Sequence, residues 1–219
     1  MSSLSPTNSD NDDSRSKWDL NPLVLSSGKR KSAFLPYKPH STVLTNLQRG
    51  NTEATFCSEI FLSFHERAGQ GEITEEQVRL QEEPDLVDKN GFTSLHWACY
   101  YGQISSAALL IDAGANVNKL APELISPLLL AASGGHHEIV RLLCKKGADI
   151  NHMDIVGNTA LMYAAAGNHP HTCNELLSRN PSLTISNENG DTAYSLAVHN
   201  NSSLSQAVLE HYIVALLSL

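Results

Sequence analysis

The sequence predicts an all-α solenoid of repeated helix pairs, preceded by a disordered N-terminal arm. Two observations carry this prediction: an internal repeat with a period of about 33 residues and a change of composition near residue 57. Hydroxyl residues recur at the same place in every repeat: Thr93, Ser126, Thr159 and Thr192. The repeats therefore span residues 88–120, 121–153, 154–186 and 187–219.

Each repeat contains two stretches with the apolar spacing of a helix, separated by a turn residue. The repeated hydroxyl can accept a backbone N–H at the start of the first helix, and a proline such as Pro127 needs no amide hydrogen there. The turn residues between the helices tolerate a positive φ: Gly102, Gly135, Asn168 and Asn201. Small residues recur where the next repeat must approach closely: Ala98, Ala131, Ala164 and Ala197. Each repeat is therefore predicted to form two packed helices joined to the next repeat by a hairpin loop.

The chain before residue 88 divides into two parts. Residues 1–40 hold nine serines and four prolines and lack both helical and alternating apolar periodicity, and the linker to residue 57 is polar. Such a composition does not bury enough apolar surface to offset the entropy of ordering, so residues 1–57 are predicted to be a disordered arm and linker. Residues 58–87 have the apolar spacing of a divergent capping repeat, which raises the predicted number of helix pairs to about five.

Composition and charge exclude several classes of protein. No apolar stretch reaches the roughly 18 residues of a membrane helix, and the first residues lack a secretory signal. The net charge is −8, yet residues 1–40 carry six Lys or Arg and four Asp, so the remaining chain carries −10. An acidic folded part repels phosphate, and direct binding of DNA or RNA by it is not expected.

Neither an enzyme nor a metal site is predicted. The chain contains no nucleophile elbow, P-loop or dinucleotide fingerprint, so no catalytic residue and no cofactor are assigned. The four cysteines are widely spaced without a CxxC pair, which favours reduced thiols over zinc ligands. His136 and His169 follow the turn residues, where they are expected to bond the neighbouring hairpin rather than a metal.

The repeat motifs resemble a known family. GFTSLHWACYYGQ, SPLLLAASGGHHEIVRLLCKKGADIN and GNTALMYAAAGNH look like ankyrin repeats, whose T-P-L-H-x-A signature and period they reproduce. VLTNLQRGN, HWA, MYAAAGNH and the C-terminal stretch are similar to one small ankyrin group. This group includes the ankyrin-containing subunit of the regulatory factor X transcription complex and ankyrin repeat family A protein. The third hairpin, Asp154-Ile155-Val156-Gly157, departs from the acidic-Trp-Asn-Gly pattern expected in that group.

Function in this fold is expected on the concave surface, which we define as the hairpin tips together with the exposed side of the first helices. The register assigns the following residues to it: Lys89, Asn90, Phe92, Tyr100, Tyr101, Glu123, Ile125, Ser133, Ile155, Val156, Asn158, Ala166, Glu188, Asn189 and Asp191. Large rings supply contact area at low entropic cost. The predicted partner-binding residues are therefore Phe92, Trp97, Tyr100, Tyr101, Ile155 and Tyr163. Trp97 and Tyr163 share a register column that could equally be core.

Two functions fit these observations. The first is an adaptor that recognises a linear motif of a partner, as a cofactor in transcriptional regulation. The resemblance implies partners with proline- and leucine-containing motifs, such as transcription factors or histone deacetylases, and a location in nucleus and cytoplasm. The basic cluster Lys29-Arg30-Lys31 is a short candidate import signal. The second is a structural or inhibitory protein that masks a globular partner. The sequence leaves both open.

Overall fold

The computed structural model describes residues 62–81 and 83–218, and ten α-helices lie within these ranges. They are α1 (Phe64–Gln70), α2 (Glu75–Arg79), α3 (Ser94–Tyr101), α4 (Ile104–Asp112), α5 (Pro127–Ser133), α6 (His137–Lys145), α7 (Ala160–Ala166), α8 (Pro170–Leu177), α9 (Ala193–His199) and α10 (Ser203–Leu217). The described residues belong to one compact unit, Cys57–Leu219. The predicted arm and linker, residues 1–57, lie outside the described residues.

The helices stack as two rows. The first helices of successive repeats pack on one another in the order α1, α3, α5, α7 and α9, and the second helices follow in the order α2, α4, α6, α8 and α10. In each of the four full repeats the two helices also pack on each other. In the described part of the chain, β-structure amounts to two isolated bridges, Val87 with Thr93 and Met153 with Thr159. The predicted all-α solenoid is confirmed.

The starts and ends of the first helices follow the sequence prediction. In every full repeat the hydroxyl of the N-cap residue accepts the backbone N–H three residues later: Thr93, Ser126, Thr159 and Thr192. Pro127 occupies the first turn of α5, where no amide hydrogen is needed. The turn residues after these helices have φ between 54° and 77°: Gly102, Gly135, Asn168 and Asn201. Asparagine is the best non-glycine substitute in this left-handed region, so the predicted turns are confirmed.

The core lies between the two rows of helices and between successive repeats. The four recurring alanines of the first helices are 0% exposed, which lets neighbouring first helices approach closely: Ala98, Ala131, Ala164 and Ala197. Leucines from both rows fill the remaining space, for example Leu128 and Leu161 at 2% exposure and Leu143 and Leu176 at 0%. Because each repeat buries its apolar side against its neighbours, the units are stabilised jointly.

The hairpins use the same local chemistry in three repeats out of four. A side-chain oxygen of Asp88, Asp154 or Asn187 accepts the backbone N–H groups two and four residues later, at 2.8 to 3.0 Å. A glycine with positive φ completes each of these turns: Gly91, Gly157 and Gly190. In the second full repeat, Ala121 stands at the position of the Asp or Asn side chain and Leu124 at the position of the glycine. Its hairpin turns at Pro122–Leu124, where Glu123 and Leu124 take up left-handed φ of 61° and 59° rather than helical values.

Candidate functional site

The concave surface is built from the four hairpins, residues 88–93, 121–126, 154–159 and 187–192, and from the ends of α3, α5, α7 and α9. Adjacent hairpins are joined by backbone hydrogen bonds. The Ile155 N–H donates to the Glu123 carbonyl at 3.2 Å, and the Glu188 N–H donates to the Val156 carbonyl at 2.9 Å. The corresponding position in the second full repeat is Pro122, which has no N–H to donate to the first hairpin. The first hairpin is therefore joined to the others by packing rather than by this ladder.

One column that the register assigned to this surface points inward. Phe92, Ile125 and Asn158 are 2%, 2% and 0% exposed, so the expectation that they present side chains to a partner is wrong. Each immediately precedes the N-cap residue of a first helix, where the chain turns from the hairpin into the core. Phe92 packs edge-to-face against His96, with ring centroids 5.8 Å apart. Asn158 accepts a hydrogen bond from the Asn187 side chain at 3.0 Å.

The structure brings three of the predicted residues together as one cluster. Trp97 and Tyr101 stack with ring centroids 6.0 Å apart, and Tyr100 meets Tyr101 edge-on at 5.0 Å. All three rings are half-buried. Burial raises the pKa of the Tyr101 phenol, and the neighbouring Tyr100 adds to this effect. We call these three residues the aromatic cluster.

The capping repeat closes one side of the aromatic cluster. Gly69 in α1 lies so close that a Cβ atom there would stand 2.9 Å from Tyr101 Cδ2 and 3.2 Å from Trp97 Cε3. Both contacts are with stiff rings rather than with the end of a flexible chain, so a larger residue at 69 would displace the cluster. Glycine at this position therefore sets how closely α1 approaches α3.

Trp97 is also held by a hydrogen bond. Its Nε1–H donates to Asp88 Oδ2 at 3.1 Å, while Asp88 Oδ1 accepts the backbone N–H groups of the first hairpin. The carboxylate therefore couples the position of the ring to the conformation of the hairpin. The sequence register alone gives no signal for this bond, because it joins positions nine residues apart across a turn.

The third full repeat carries the same arrangement in a buried form. Tyr163 is 3% exposed and its Oη donates to Asp154 Oδ2 at 2.6 Å. Burial raises the pKa of this phenol, and the charge of Asp154 and the hydrogen bond raise it further. The expectation that Tyr163 extends the aromatic surface is therefore wrong. The ring belongs to the core and its hydroxyl anchors the hairpin.

Ile155 lies at the tip of the third hairpin, where its side chain is 54% exposed. Leu124, at the tip of the neighbouring hairpin, is 46% exposed. These two residues place apolar surface on the hairpin row, whereas the aromatic cluster lies at the first helices nearest the capping repeat. Of the six predicted residues, four therefore present accessible surface: Trp97, Tyr100, Tyr101 and Ile155.

Acidic side chains are concentrated on the hairpins of the solenoid. The four hairpins hold five carboxylates and one amine: Asp88, Glu123, Asp154, Glu188, Asp191 and Lys89. The helices α3, α5, α7 and α9 contain no Asp, Glu, Lys or Arg. Basic side chains instead occur in and directly after α6, where Arg141 pairs with Glu175 at 2.8 Å and Lys146 with Asp112 at 2.8 Å. The concave surface is therefore apolar in its centre and acidic along the hairpins.

Three of the described histidines bond backbone carbonyls of a neighbouring repeat. His96 Nε2 lies 3.2 Å from the Ile125 carbonyl of the next hairpin. His136 and His169 bond the carbonyls of Tyr100 and Ser133, at the ends of the preceding first helices, rather than the hairpins expected from the sequence. Within residues 62–81 and 83–218, no group of three or more His, Cys, Asp or Glu side chains is placed to hold a metal ion.

The comparisons with known proteins agree with this architecture. The family model for ankyrin repeats in three copies matches residues 62–154 and 128–215, which together span most of the chain. The chain belongs to the ankyrin-repeat family. In the part of this ankyrin-repeat chain that the structure describes, no helix is long and apolar enough to cross a membrane.

The similar proteins include two kinds of ankyrin protein. Human DNA-binding protein RFXANK is 41% identical over 100 residues, covering 44% of this chain and 38% of the relative. Ankyrin repeat family A protein 2, from human and from Bos taurus, is 39% identical over 106 residues, covering 47% of this chain and 34% of the relative. Each match therefore spans less than half the length of the relative. These similarities support a role in protein interaction.

Proposed function

We propose that the chain is a protein-interaction adaptor whose concave surface binds an extended segment of a partner. The aromatic cluster carries this proposal, because three adjacent rings stand on α3, and the helices α3, α5, α7 and α9 contain no Asp, Glu, Lys or Arg. Half-buried rings fixed by stacking lose little entropy when a partner covers them. Ile155 and Leu124 supply further apolar contacts along the hairpins.

The charge of the surface selects the chemistry of the partner. Asp154 is 7% exposed, but the other four hairpin carboxylates reach the surface and, against one amine, favour a segment with Lys or Arg beside its apolar anchors. A single segment that becomes ordered on binding is expected to have micromolar affinity, about −8 kcal/mol. The affinity should fall as salt is added, since exposed charges are screened.

We further propose a more specific role, that of a cofactor in transcriptional regulation, acting in nucleus and cytoplasm. The support is the similarity to RFXANK, whose name describes a DNA-binding protein, and to ankyrin repeat family A protein 2. Partners would then be transcription factors or histone deacetylases that carry proline- and leucine-containing motifs. The acidic hairpins favour contacts with such proteins over direct contacts with phosphate.

The test is a selection of displayed random dodecapeptides on the full chain, followed by anisotropy titration of the enriched peptides. Enriched sequences should combine Leu, Pro or aromatic anchors with Lys or Arg. Tyr100→Ala and Tyr101→Ala should each weaken binding by about 1 to 3 kcal/mol. Tyr212→Ala is the matched control, because Tyr212 is a half-buried tyrosine on α10 whose Oη bonds Asn180. Equal losses for all three variants, or no enrichment at all, would favour a broad surface that masks a globular partner.

A further inference from the structure

We propose that the last repeat carries a self-association surface, on which a second copy of this chain packs to form a two-fold symmetric dimer. The surface is the side of α9 and α10 that faces away from α7 and α8. Among the described residues no further repeat packs on this side. We call it the end face and define it by six residues: Tyr194, Val198, Gln206, Glu210, Val214 and Leu217. The end face shares no residue with the aromatic cluster, so self-association and partner binding are separate properties.

Each of the other full repeats buries the equivalent surface against the repeat that follows it. Two columns of the first helices are at most 2% exposed there: Leu95, Leu128 and Leu161 in one, and Cys99, Ala132 and Ala165 in the other. In the fourth full repeat the same columns hold Tyr194 and Val198, which are 36% and 42% exposed. The end face therefore continues an interface that the chain uses three times within itself.

The long helix α10 extends the end face beyond the repeat. It has 15 residues, whereas α4, α6 and α8 have 9, 9 and 8. Four residues follow one another at helical spacing and form one stripe on α10: Gln206, Glu210, Val214 and Leu217. The stripe begins polar and ends apolar, since Val214 and Leu217 are 64% and 83% exposed. A terminal repeat with a polar outer face stays soluble alone, whereas this apolar end favours a surface that covers it.

The charge of the end face identifies the occupant as a second copy. The chain has a net charge of −8, so two copies repel each other over most of their surface. Residues 193–218 contain one charged side chain of the Asp, Glu, Lys or Arg type, which is Glu210. Its Oε1 accepts hydrogen bonds from Tyr194 Oη at 2.9 Å and from Gln206 Nε2 at 2.8 Å. Basic partners are drawn to the acidic hairpins, and the end face fits an almost uncharged surface, which the end face of a second copy provides.

A two-fold axis beside Val214 accommodates both the apolar stripe and Glu210. The two α10 helices then run antiparallel, with Val214 against its counterpart and Leu217 about 4.5 Å along the helix from the axis. Each Glu210 lies four residues from the axis, which separates the two carboxylates by about 12 Å along the helices. This separation exceeds the Debye length of about 8 Å at physiological ionic strength, so their repulsion is screened. The aromatic clusters of both copies stay free, and the dimer can hold two partner motifs at once.

The experiment is sedimentation velocity of the full chain at concentrations up to about 100 μM. Val214→Glu places a carboxylate beside the two-fold axis in each copy, where like charges meet. Leu204→Glu is the matched control, because Leu204 is 59% exposed on the same helix but stands in an outer column that is exposed in every full repeat: Ser105, Glu138, His171 and Leu204. Both variants change the net charge by the same amount. Thermal melts at concentrations below the dimerisation range report on folding.

Cross-linking tests the position of the axis. Val214→Cys places two thiols across the axis within the distance that a disulfide spans, whereas Leu204→Cys does not. Oxidation followed by non-reducing electrophoresis measures the covalent dimer, with the wild type as the background for the native cysteines.

We expect the wild type and Leu204→Glu to form dimers with a micromolar dissociation constant, and Val214→Glu to raise this constant at least about tenfold. Val214→Cys should cross-link and Leu204→Cys should not. A wild type that stays monomeric to about 100 μM would overturn self-association and leave the end face to another protein. A dimer that Val214→Glu leaves intact would place the contact elsewhere on the chain and overturn the assignment to the end face. Assemblies larger than dimers, or a Val214→Cys variant that does not cross-link, would overturn the two-fold arrangement.

Discussion

Tyr163 Oη donates to Asp154 Oδ2 at 2.6 Å, and Trp97 Nε1 donates to Asp88 Oδ2 at 3.1 Å in the equivalent positions of another repeat. In both repeats the same carboxylate accepts backbone N–H groups of its hairpin through its other oxygen. The ring of the first helix and the hairpin are therefore held by one side chain. The remaining two full repeats have Leu130 and Leu196 in this column and lack the bond.

Removal of one hydroxyl should destabilise the third full repeat. Tyr163→Phe leaves the buried Asp154 carboxylate without its shortest donor, and we expect a loss of about 1 to 3 kcal/mol in the free energy of unfolding. Tyr212→Phe removes a hydroxyl bonded to Asn180 at the surface and should change stability by less than about 0.5 kcal/mol. Urea denaturation followed by circular dichroism measures both. Equal losses of stability in the two variants would show that the hydrogen bond to Asp154 stabilises the fold no more than a surface hydrogen bond does.

Truncation of the recurring core leucine should be costly. Leu128→Ala and Leu161→Ala each leave a cavity between repeats, because both residues are 2% exposed, and should lower stability by about 2 to 5 kcal/mol. Leu204→Ala is the control, since Leu204 is 59% exposed at the start of α10. The same denaturation experiment applies. A change for both core variants as small as that of a typical surface substitution, below about 0.5 kcal/mol, would mean that the column is not core.

The second hairpin should gain stability from a glycine. Leu124 has φ of 59° at the register position that glycine occupies in the other three full repeats. A non-glycine residue in this left-handed conformation costs about 1 kcal/mol. Leu124→Gly should therefore stabilise the protein by up to about 1 kcal/mol in thermal and urea unfolding.

Gly190→Ala is the reverse experiment. Gly190 has φ of 79°, and a Cβ there meets no atom within 4 Å, so the substitution tests backbone strain alone. We expect a loss of about 1 kcal/mol. If Leu124→Gly and Gly190→Ala change stability in the same direction, the conformational argument does not hold.

Stability should depend on pH through His96. This histidine is 0% exposed, and burial lowers its pKa to about 4, below the value near 6.5 expected when the chain is unfolded. Well above pH 6.5 neither the folded nor the unfolded state binds a proton at this site. Between pH 6.5 and 4 the unfolded state binds more protons, so stability falls as the pH falls, by about 3 kcal/mol in total.

His96→Gln is the control for this effect. The variant lacks the titrating ring, so its stability should fall less steeply than that of the wild type between pH 6.5 and 4, as measured by urea titrations at several pH values. Carboxylates titrate in both proteins and cancel in the comparison. Parallel pH profiles would show that His96 does not control the acid sensitivity.

The sequence by itself determined the repeat architecture, because this architecture depends on local rules that recur in every repeat. A hydroxyl N-cap such as Thr93, an alanine such as Ala98 and a glycine turn such as Gly102 each act within a few residues of their own position. Because these local features recur in every repeat, the apolar side of each repeat is buried by stacking against the next repeat. The five helix pairs and the aromatic concentration near Trp97 followed from such patterns.

Only the tertiary structure decided which of the register positions face a partner. Phe92 and Tyr163 are buried while Ile155 is exposed, and the repeat period cannot distinguish these cases, because facing depends on how hairpin and helix meet. The bonds of Trp97 to Asp88 and of Tyr163 to Asp154 cross a turn. In each case a carboxylate nine residues away orients the ring. This contact depends on how the chain folds at the turn and cannot be inferred from the repeat spacing.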